Sequence, residues 1–293
     1  MILVTGGTGF VGGHLVRRLR KDGLPVRALA RHPDRAQALI DLGVEVVPGD
    51  IADKTALEKA VDGIERVVHL VGIIQEAPGV TFRTAHVEGT RNVVEAARKA
   101  GVIHFFHQSA LGTRPGAKSE YHRTKWEAEE LVRKSGIPYT ILRPSLIYGP
   151  GDRFTVRLTE LLRRTPFMPV IGSGKSRVQP IYIDDVVSCM VKALTDDAFL
   201  NEIYEIGGPQ QLTYEEVTAA IVEAMSIRRP SIHLPLFLME PMARALEAVL
   251  SNPPLTTDQL IMMQEDNVCS MRDIRDAFGI EPVTFSEGLK KFI

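Results

Sequence analysis

Short apolar runs rich in β-branched residues recur through the first half of the chain, at Ile2–Val4, Val26–Ala30, Val44–Val47, Val67–Val71, Ile103–Phe106 and Tyr139–Leu142. Between them, apolar positions fall at helical spacing over His14–Lys21, Lys54–Val61, Val87–Ala100 and Tyr121–Lys134. In the third of these, Val93, Val94, Ala97 and Ala100 make one stripe. The strand runs are nearly continuous in apolar residues rather than alternating, the pattern of strands covered on both faces. Their alternation with helices predicts βαβ units around a parallel sheet. Right-handed crossovers then make the sheet doubly wound, an α/β fold.

The second half reads differently. Pro and Gly cluster at Pro144, Gly149-Pro150-Gly151, Pro166, Pro169, Gly172 and Gly174. Helices are predicted over Asp184–Leu194, Tyr214–Met225, Glu240–Leu250 and Thr257–Gln264, with one strand at Ile203–Ile206 before Gly207-Gly208-Pro209. The expected organisation is a sheet domain over residues 1–150, to which 181–207 returns. A smaller, mostly helical lobe takes 151–180 and 208–293. No internal repeat or low-complexity tract interrupts it.

Composition narrows the function classes. The 293 residues are 44% hydrophobic and 24% charged, an ordinary globular balance. Lys and Arg total 35 against 36 Asp and Glu, a net charge of -1, so a polyanion is not the expected partner. The two cysteines, Cys189 and Cys269, form no metal spacing and no disulfide framework, which fits a reducing compartment. Ile2-Leu3-Val4 follows Met1 without a basic n-region or long apolar h-region, so no signal peptide is expected. Leu234–Leu250 is broken by Glu240, Pro241, Arg244 and Glu247 and makes a poor membrane span. The expectation is a cytoplasmic protein.

Candidate chemistry begins at the first turn. Residues 4–12 read Val-Thr-Gly-Gly-Thr-Gly-Phe-Val-Gly, in which Gly6, Gly9 and Gly12 form G-x-x-G-x-x-G, and Gly7, Gly9 and Gly12 form G-x-G-x-x-G. Such a turn lets backbone approach a pyrophosphate with no Cβ in the way, and its last glycine lets helix and strand pack closely. The helix beginning near Phe10 offers free N–H groups and a positive dipole end. An apolar strand before the turn and an amphipathic helix after it give the motif its expected context as a Rossmann-type dinucleotide site. The second strand ends Ala30-Arg31-His32-Pro33, without the acid that would hold an NAD ribose. Arg31 stands where a guanidinium can grip a 2′-phosphate, with Arg35 one turn on, so NADP(H) is favoured over NAD(H). Asp50 follows the third strand and reads equally as an adenine acceptor or a helix N-cap.

Tyr121-His-Arg-Thr-Lys125 is Y-x-x-x-K, and the i,i+4 spacing puts both side chains on one helix face. A neighbouring ammonium stabilises phenolate. The phenol can then pass a proton to or from a carbonyl/alcohol couple while a cofactor moves hydride. Ser109, just beyond the fifth strand run, can hold the substrate oxygen.

Together these residues resemble the short-chain dehydrogenase/reductase superfamily. Thr5-Gly-Gly-Thr-Gly-Phe-Val-Gly12 resembles the turn of its extended branch, Val87–Val94 its fourth helix, and Arg143-Pro144 with Tyr148-Gly149-Pro150 its segment under the nicotinamide. The runs Gln179–Val186 and Gly207–Tyr214 are similar to others in the family. The resemblance implies a catalytic trio of Ser109, Tyr121 and Lys125. It implies cofactor contacts from Gly6, Thr8, Gly9, Phe10, Val11, Gly12, Arg31, Arg35, Asp50, Ile51, Leu70, Val71, Gly72, Tyr121, Lys125, Pro144 and Leu146. More narrowly, the chain resembles the atypical branch containing the NADPH-binding accessory subunit of respiratory complex I and its bacterial relatives, with support from Thr257–Asn267. Two departures from sugar-nucleotide epimerases and dehydratases stand out. Only 12 positions separate Ser109 from Tyr121, and His86 replaces their usual asparagine.

Three readings follow: an NADP(H)-dependent oxidoreductase with a small-molecule substrate, a non-catalytic NADPH-binding accessory or assembly protein of a respiratory or quinone-related complex, and a sugar-nucleotide epimerase or dehydratase. The second leaves room for a peripheral membrane position, and an oligomer is open in each. Elsewhere, strand alternation puts His104 and His107 on opposite faces, against a shared metal. Satisfied structural roles are expected for them and for His122. Asp184 and Asp185 read as helix caps. Leu260–Met263 reads as core or subunit contact, and Pro235–Met239 as a membrane edge or the lining of an apolar substrate pocket.

Overall fold

The computed structural model describes residues 1–293. In chain order the first half runs β1 (Ile2–Thr5), α1 (Phe10–Lys21), β2 (Val26–Ala30), α2 (Gln37–Ile40), β3 (Glu45–Pro48), α3 (Lys54–Val61), β4 (Arg66–His69), α4 (Gly89–Lys99), β5 (His104–Gln108), α5 (Glu120–Arg133) and β6 (Tyr139–Pro144). A wider helical turn, Arg83–Glu88, leads into α4. The second half runs β7 (Ile147–Tyr148), α6 (Arg153–Arg164), β8 (Met168–Ile171), β9 (Arg177–Val178), β10 (Ile181–Tyr182), α7 (Ile183–Thr195), β11 (Glu202–Ile206), β12 (Leu212–Thr213), α8 (Tyr214–Ala224), β13 (Ser231–Leu234), α9 (Leu236–Val249), α10 (Thr257–Met262) and α11 (Phe285–Leu289).

Residues Met1–Arg143 and Val187–Tyr204 form one compact unit, and Pro144–Val186 with Glu205–Ile293 a second. The break falls at Pro144 rather than at residue 150 because β7 pairs with β10, inside the second unit. The large sheet has the order β11-β6-β5-β4-β1-β2-β3, and neighbouring strands from β1 to β6 are parallel. As expected from the apolar strands, it is doubly wound. Leu3, Leu29, Val67, Phe105 and Ile141 pack against Leu57 of α3, Val93 of α4 and Val132 of α5 in one core cluster. On the other face, a Cβ on Gly7 would touch Ala28, Val16 of α1 and Leu39 of α2. Strand order reverses between β1 and β4, so the crevice beyond their carboxyl ends is where this architecture places ligands.

In the second unit, three two-stranded ribbons join the helices: β7 with β10 and β8 with β13, both parallel, and β9 with β12, antiparallel. The runs Gln179–Val186 and Gly207–Tyr214 meet there. The Gln179 side chain donates to the Gly208 carbonyl at 2.8 Å and accepts from the Cys269 amide at 2.9 Å. A Cβ on Gly207 would sit 2.6 Å from the Gln179 amide carbon, which explains the glycine. Capping boxes at Thr213/Glu216, Thr256/Gln259 and Thr284/Glu287 fix the starts of α8, α10 and α11. The cap roles expected of Asp184 and Asp185 need correction, because α7 already begins at Ile183. Both residues lie in the first turn of α7, and the Asp185 carboxylate accepts from the Val283 amide at 3.1 Å.

Candidate active site

The glycine turn is built in the Gly6/Gly9/Gly12 register. Gly6 has φ +83, a left-handed conformation, and its carbonyl accepts from the Gly9 amide at 2.9 Å. A Cβ on Gly12 would stand 2.2 Å from that same carbonyl oxygen. Gly7 keeps an ordinary φ with normal packing around it, so the second register plays no special part. A Cβ on Gly6 would be 3.2 Å from the Leu70 carbonyl carbon and 3.3 Å from the Val71 amide. The turn after β1 thus lies against the loop after β4, at the switch point. Helix α1 starts at Phe10 with Gly9 as N-cap, no capping side chain and no acid in its first turn. The amides of Phe10, Val11 and Gly12 are therefore left to face an anion. Thr8 and Gly9 are exposed there, and Phe10 and Val11 half-buried.

Arg31 and Arg35 are exposed at the end of β2 and in the short helical turn after it. Parallel pairing of Ala30 with Pro48 brings the ends of β2 and β3 together, and Arg31 forms an ion pair with Asp50 at 3.6 Å. The N-cap reading of Asp50 is overturned. Asp53 caps α3, accepting from the Thr55 and Ala56 amides, while Asp50 accepts from Ala52 in its own turn. Ile51 is buried in the core, its carbonyl held by Asn92 at 3.0 Å. Pro144, buried, and Leu146, half-buried, belong to the second unit, where the Leu146 carbonyl accepts from Ile181.

Helix α5 begins where Ser119 caps it, its hydroxyl taking the His122 amide. Tyr121 lies in its first turn, half-buried, its ring set edge-on to Phe82, His86 and His122. One turn on, Lys125 is buried, and its Nζ donates to the Gln108 carbonyl at the end of β5 at 2.9 Å. Burial pushes its amine down to about 8, partly opposed by Glu129. Ser109 follows on the same strand end, 2% exposed, with its hydroxyl 3.4 Å from that of Thr113. A Cβ on Gly72 would stand 3.0 Å from Lys125 Nζ and 3.6 Å from His86 Nε2. Gly72 thus lies directly against the lysine and His86.

Of the histidines around this lysine, the sequence singles out His86 and His107 but not His69, and does not bring the three together. Register aligns Thr5, His69 and His107 across β1, β4 and β5. His69 bonds Thr5 at 2.7 Å through Nδ1 and Thr90 at 3.1 Å through Nε2, and stacks on His107. Burial, then the Lys125 charge, pulls His69 down to about 3 and His86 to about 2, and lowers His107 well below its ordinary value. All three imidazoles are neutral near pH 7. His86 ties α5 to the loop after β4. Thr124 gives its hydroxyl proton to a main-chain carbonyl, Glu120 at 2.8 Å. It therefore accepts from His86 Nδ1 at 2.9 Å, and His86 Nε2 accepts from the Ile73 amide at 3.1 Å. His104, bonded to Thr140, and His122, bonded to Ser119, are satisfied as expected. His107 is not, since neither ring nitrogen has a hydrogen-bond partner. The available signal was a histidine closing an otherwise apolar central strand, Val67-Val68-His69.

Residues 2–207 match the model of the NAD dependent epimerase/dehydratase family. The chain belongs to that family. Membership carries a nicotinamide cofactor with it, and the uncapped, exposed N-terminus of α1 after Thr8-Gly9 suits its pyrophosphate. Among relatives, a ceramide reductase of Caulobacter vibrioides is 38% identical over 191 residues, 65% of this chain and 60% of that protein, so the match leaves two fifths of the relative uncovered. An NAD(P)H azoreductase of Xenophilus azovorans is 31% identical over 76% of this chain and 73% of its own length. Subunit 9 of the NADH dehydrogenase (ubiquinone) 1 alpha subcomplex of Arabidopsis thaliana is 28% identical over 92% of this chain and 72% of its own. Among solved structures, an NADPH-dependent quinone oxidoreductase from Escherichia coli shares the fold at TM-score 0.78 and 22% identity, covering 99% of both chains. No helix is long and apolar enough to cross a membrane.

Proposed function

We propose that this chain is an NADP(H)-dependent oxidoreductase that interconverts a carbonyl and an alcohol on a small molecule. The observation that carries the reading is Lys125, a buried amine one helical turn from Tyr121, beside Gly72. Burying an ammonium is costly, and a purely structural role would more cheaply be filled by an apolar residue. The first turn of α1 would hold the pyrophosphate, Arg31 with Arg35 the 2′-phosphate, and Gly72 with Lys125 the nicotinamide ribose. Bound there, the cofactor supplies or accepts hydride. The chain's own part is proton handling. Tyr121 gives or takes the proton at the substrate oxygen, Lys125 holds positive charge beside it, and the Ser109 hydroxyl positions that oxygen. A phenol can both give and take the proton, which suits the task. This reading places the protein in the cytoplasm or at the periphery of a membrane.

One observation favours a second reading, that of a non-catalytic NADPH-binding accessory protein of a respiratory complex. The subunit 9 relative matches 92% of this chain. A sugar-nucleotide substrate has less support, given the 12-position spacing from Ser109 to Tyr121 and His86. Titration with NADPH followed by a carbonyl panel separates the first two. Binding with NADPH oxidation is the expected result. Tight binding with no oxidation, together with a stably co-purifying partner, would favour the accessory reading instead.

A further inference from the structure

Helix α9 turns the wrong face to solvent. At 3.6 residues per turn, Met239 and Ala243 point into a small core with Leu260, and Ile171, Leu234, Leu236 and Leu255 pack around them. Its charged residues Glu240, Arg244 and Glu247 fall in a narrow flank of about 60°. The remaining arc of roughly 140° is apolar throughout and carries Phe237, Leu238, Met242, Ala245 and Val249. Phe237 is 73% exposed and Val249 81%. An amphipathic surface helix puts polar residues on that arc. Ile232 on β13, the strand that leads into α9, is exposed as well.

The other end of that ribbon, about 13 Å away over four strand residues, is basic. Arg163 and Arg164 end α6, and Arg228 and Arg229 precede β13. The Arg229 guanidinium donates to the Leu162 carbonyl at 3.3 Å, and the Pro230 carbonyl accepts from Met168, which draws the four together. The helix dipole accounts for arginines at the end of α6. It does not account for a second pair arriving from another element. No carboxylate pairs with any of the four.

We propose that this composite surface docks the protein on an anionic lipid bilayer. The arginines would meet the headgroups and the Phe237–Val249 arc would enter the acyl boundary, the pairing of basic charge and apolar face that interfacial helices use. A second copy of the chain fits less well, because a two-fold contact through this face brings like charges near one another. The inference stands on the second unit alone and does not depend on the redox reading.

The test is sedimentation of the full chain with phosphatidylcholine vesicles, with and without phosphatidylglycerol. Binding only to the anionic vesicles, weakened by salt, is expected. Phe237→Ser with Leu238→Ser should lower the bound fraction at least tenfold. Arg164→Ser with Arg228→Ser should lower it on the order of tenfold. All four positions are exposed, so the unfolding midpoint should hold and exclude misfolding as the cause. Absence of binding to anionic vesicles would overturn the proposal, as would binding that neither double variant weakens. So would a lipid-free dimer that Phe237→Ser with Leu238→Ser dissociates, since the face would then be an interface between copies.

Discussion

A methyl group at position 12 would stand 2.2 Å from the Gly6 carbonyl oxygen and 2.8 Å from the Gly7 Cα, both main-chain atoms that cannot swing away. Gly12→Ala should therefore cost about 1–3 kcal/mol of stability and displace the first turn of α1 from the phosphate position. A drop in the chemical-denaturation midpoint with loss of NADPH binding is expected, and an unchanged midpoint would contradict the overlap. Arg31→Asp tests selectivity. Its ion pair with Asp50 joins two exposed side chains, so little stability is at stake. NADP(H) affinity should fall by about 1–3 kcal/mol with NAD(H) spared, measured by titrating both nucleotides. The turn was legible because its glycines answer to local backbone demands. The Arg31–Asp50 pair was not, since it depends on the β2–β3 register.

Helix α5 and the strand ends beneath it set the chemistry. Lys125 is pushed down to about 8 from an unfolded value near 10.5. Below pH 8 it is charged in both states and the cost of burying the ammonium is fully present. Between 8 and 10.5 only the unfolded chain holds the extra proton, so this group's contribution to stability rises with pH. Its charge beside Tyr121 disappears over the same range. The expected signature is a kcat/KM that falls as pH climbs through about 8 while the fold gains stability, read from rate profiles beside denaturation midpoints. Parallel declines would point to unfolding instead. The Tyr121–Lys125 spacing announced this element, and Lys54–Val61 and Val26–Ala30 were read to the residue. Helix α6 and the β8–β13 ribbon were not read. Pro166, Pro169, Gly172 and Gly174 surround short strands whose pairing partner lies some sixty residues away in the sequence.

Across the whole molecule, the interior holds histidines in place of some apolar residues. His69, His86, His104 and His107 are all buried and shifted down from 6.5. As pH falls below 6.5 the unfolded chain binds protons that the folded one refuses. Stability is lost at about 1.4 kcal/mol per pH unit for each such histidine. His107 is the one without hydrogen bonds to offset its burial. His107→Leu should leave stability near pH 7.5 unchanged or raised by about 1 kcal/mol and flatten the acid slope by one proton. Urea titrations at several pH values would show this, and an unaltered slope would contradict the neutral assignment. The fold class was legible because apolar continuity along strands is a property of every element. This polar interior was not, because it forms only when β1, β4 and β5 align.

The central claim is that Tyr121 passes the proton while hydride moves between a nicotinamide and a carbonyl carbon. Single-turnover transfer of deuterium from C4-deuterated NADPH to the product carbon tests it most directly, comparing the unaltered chain with Tyr121→Phe. The account predicts labelled product from the former and, with NADPH affinity unchanged, a rate lower by about 10²–10⁴-fold in the variant. Equal rates in the two proteins, or bound NADPH that never gives up its label, would contradict it.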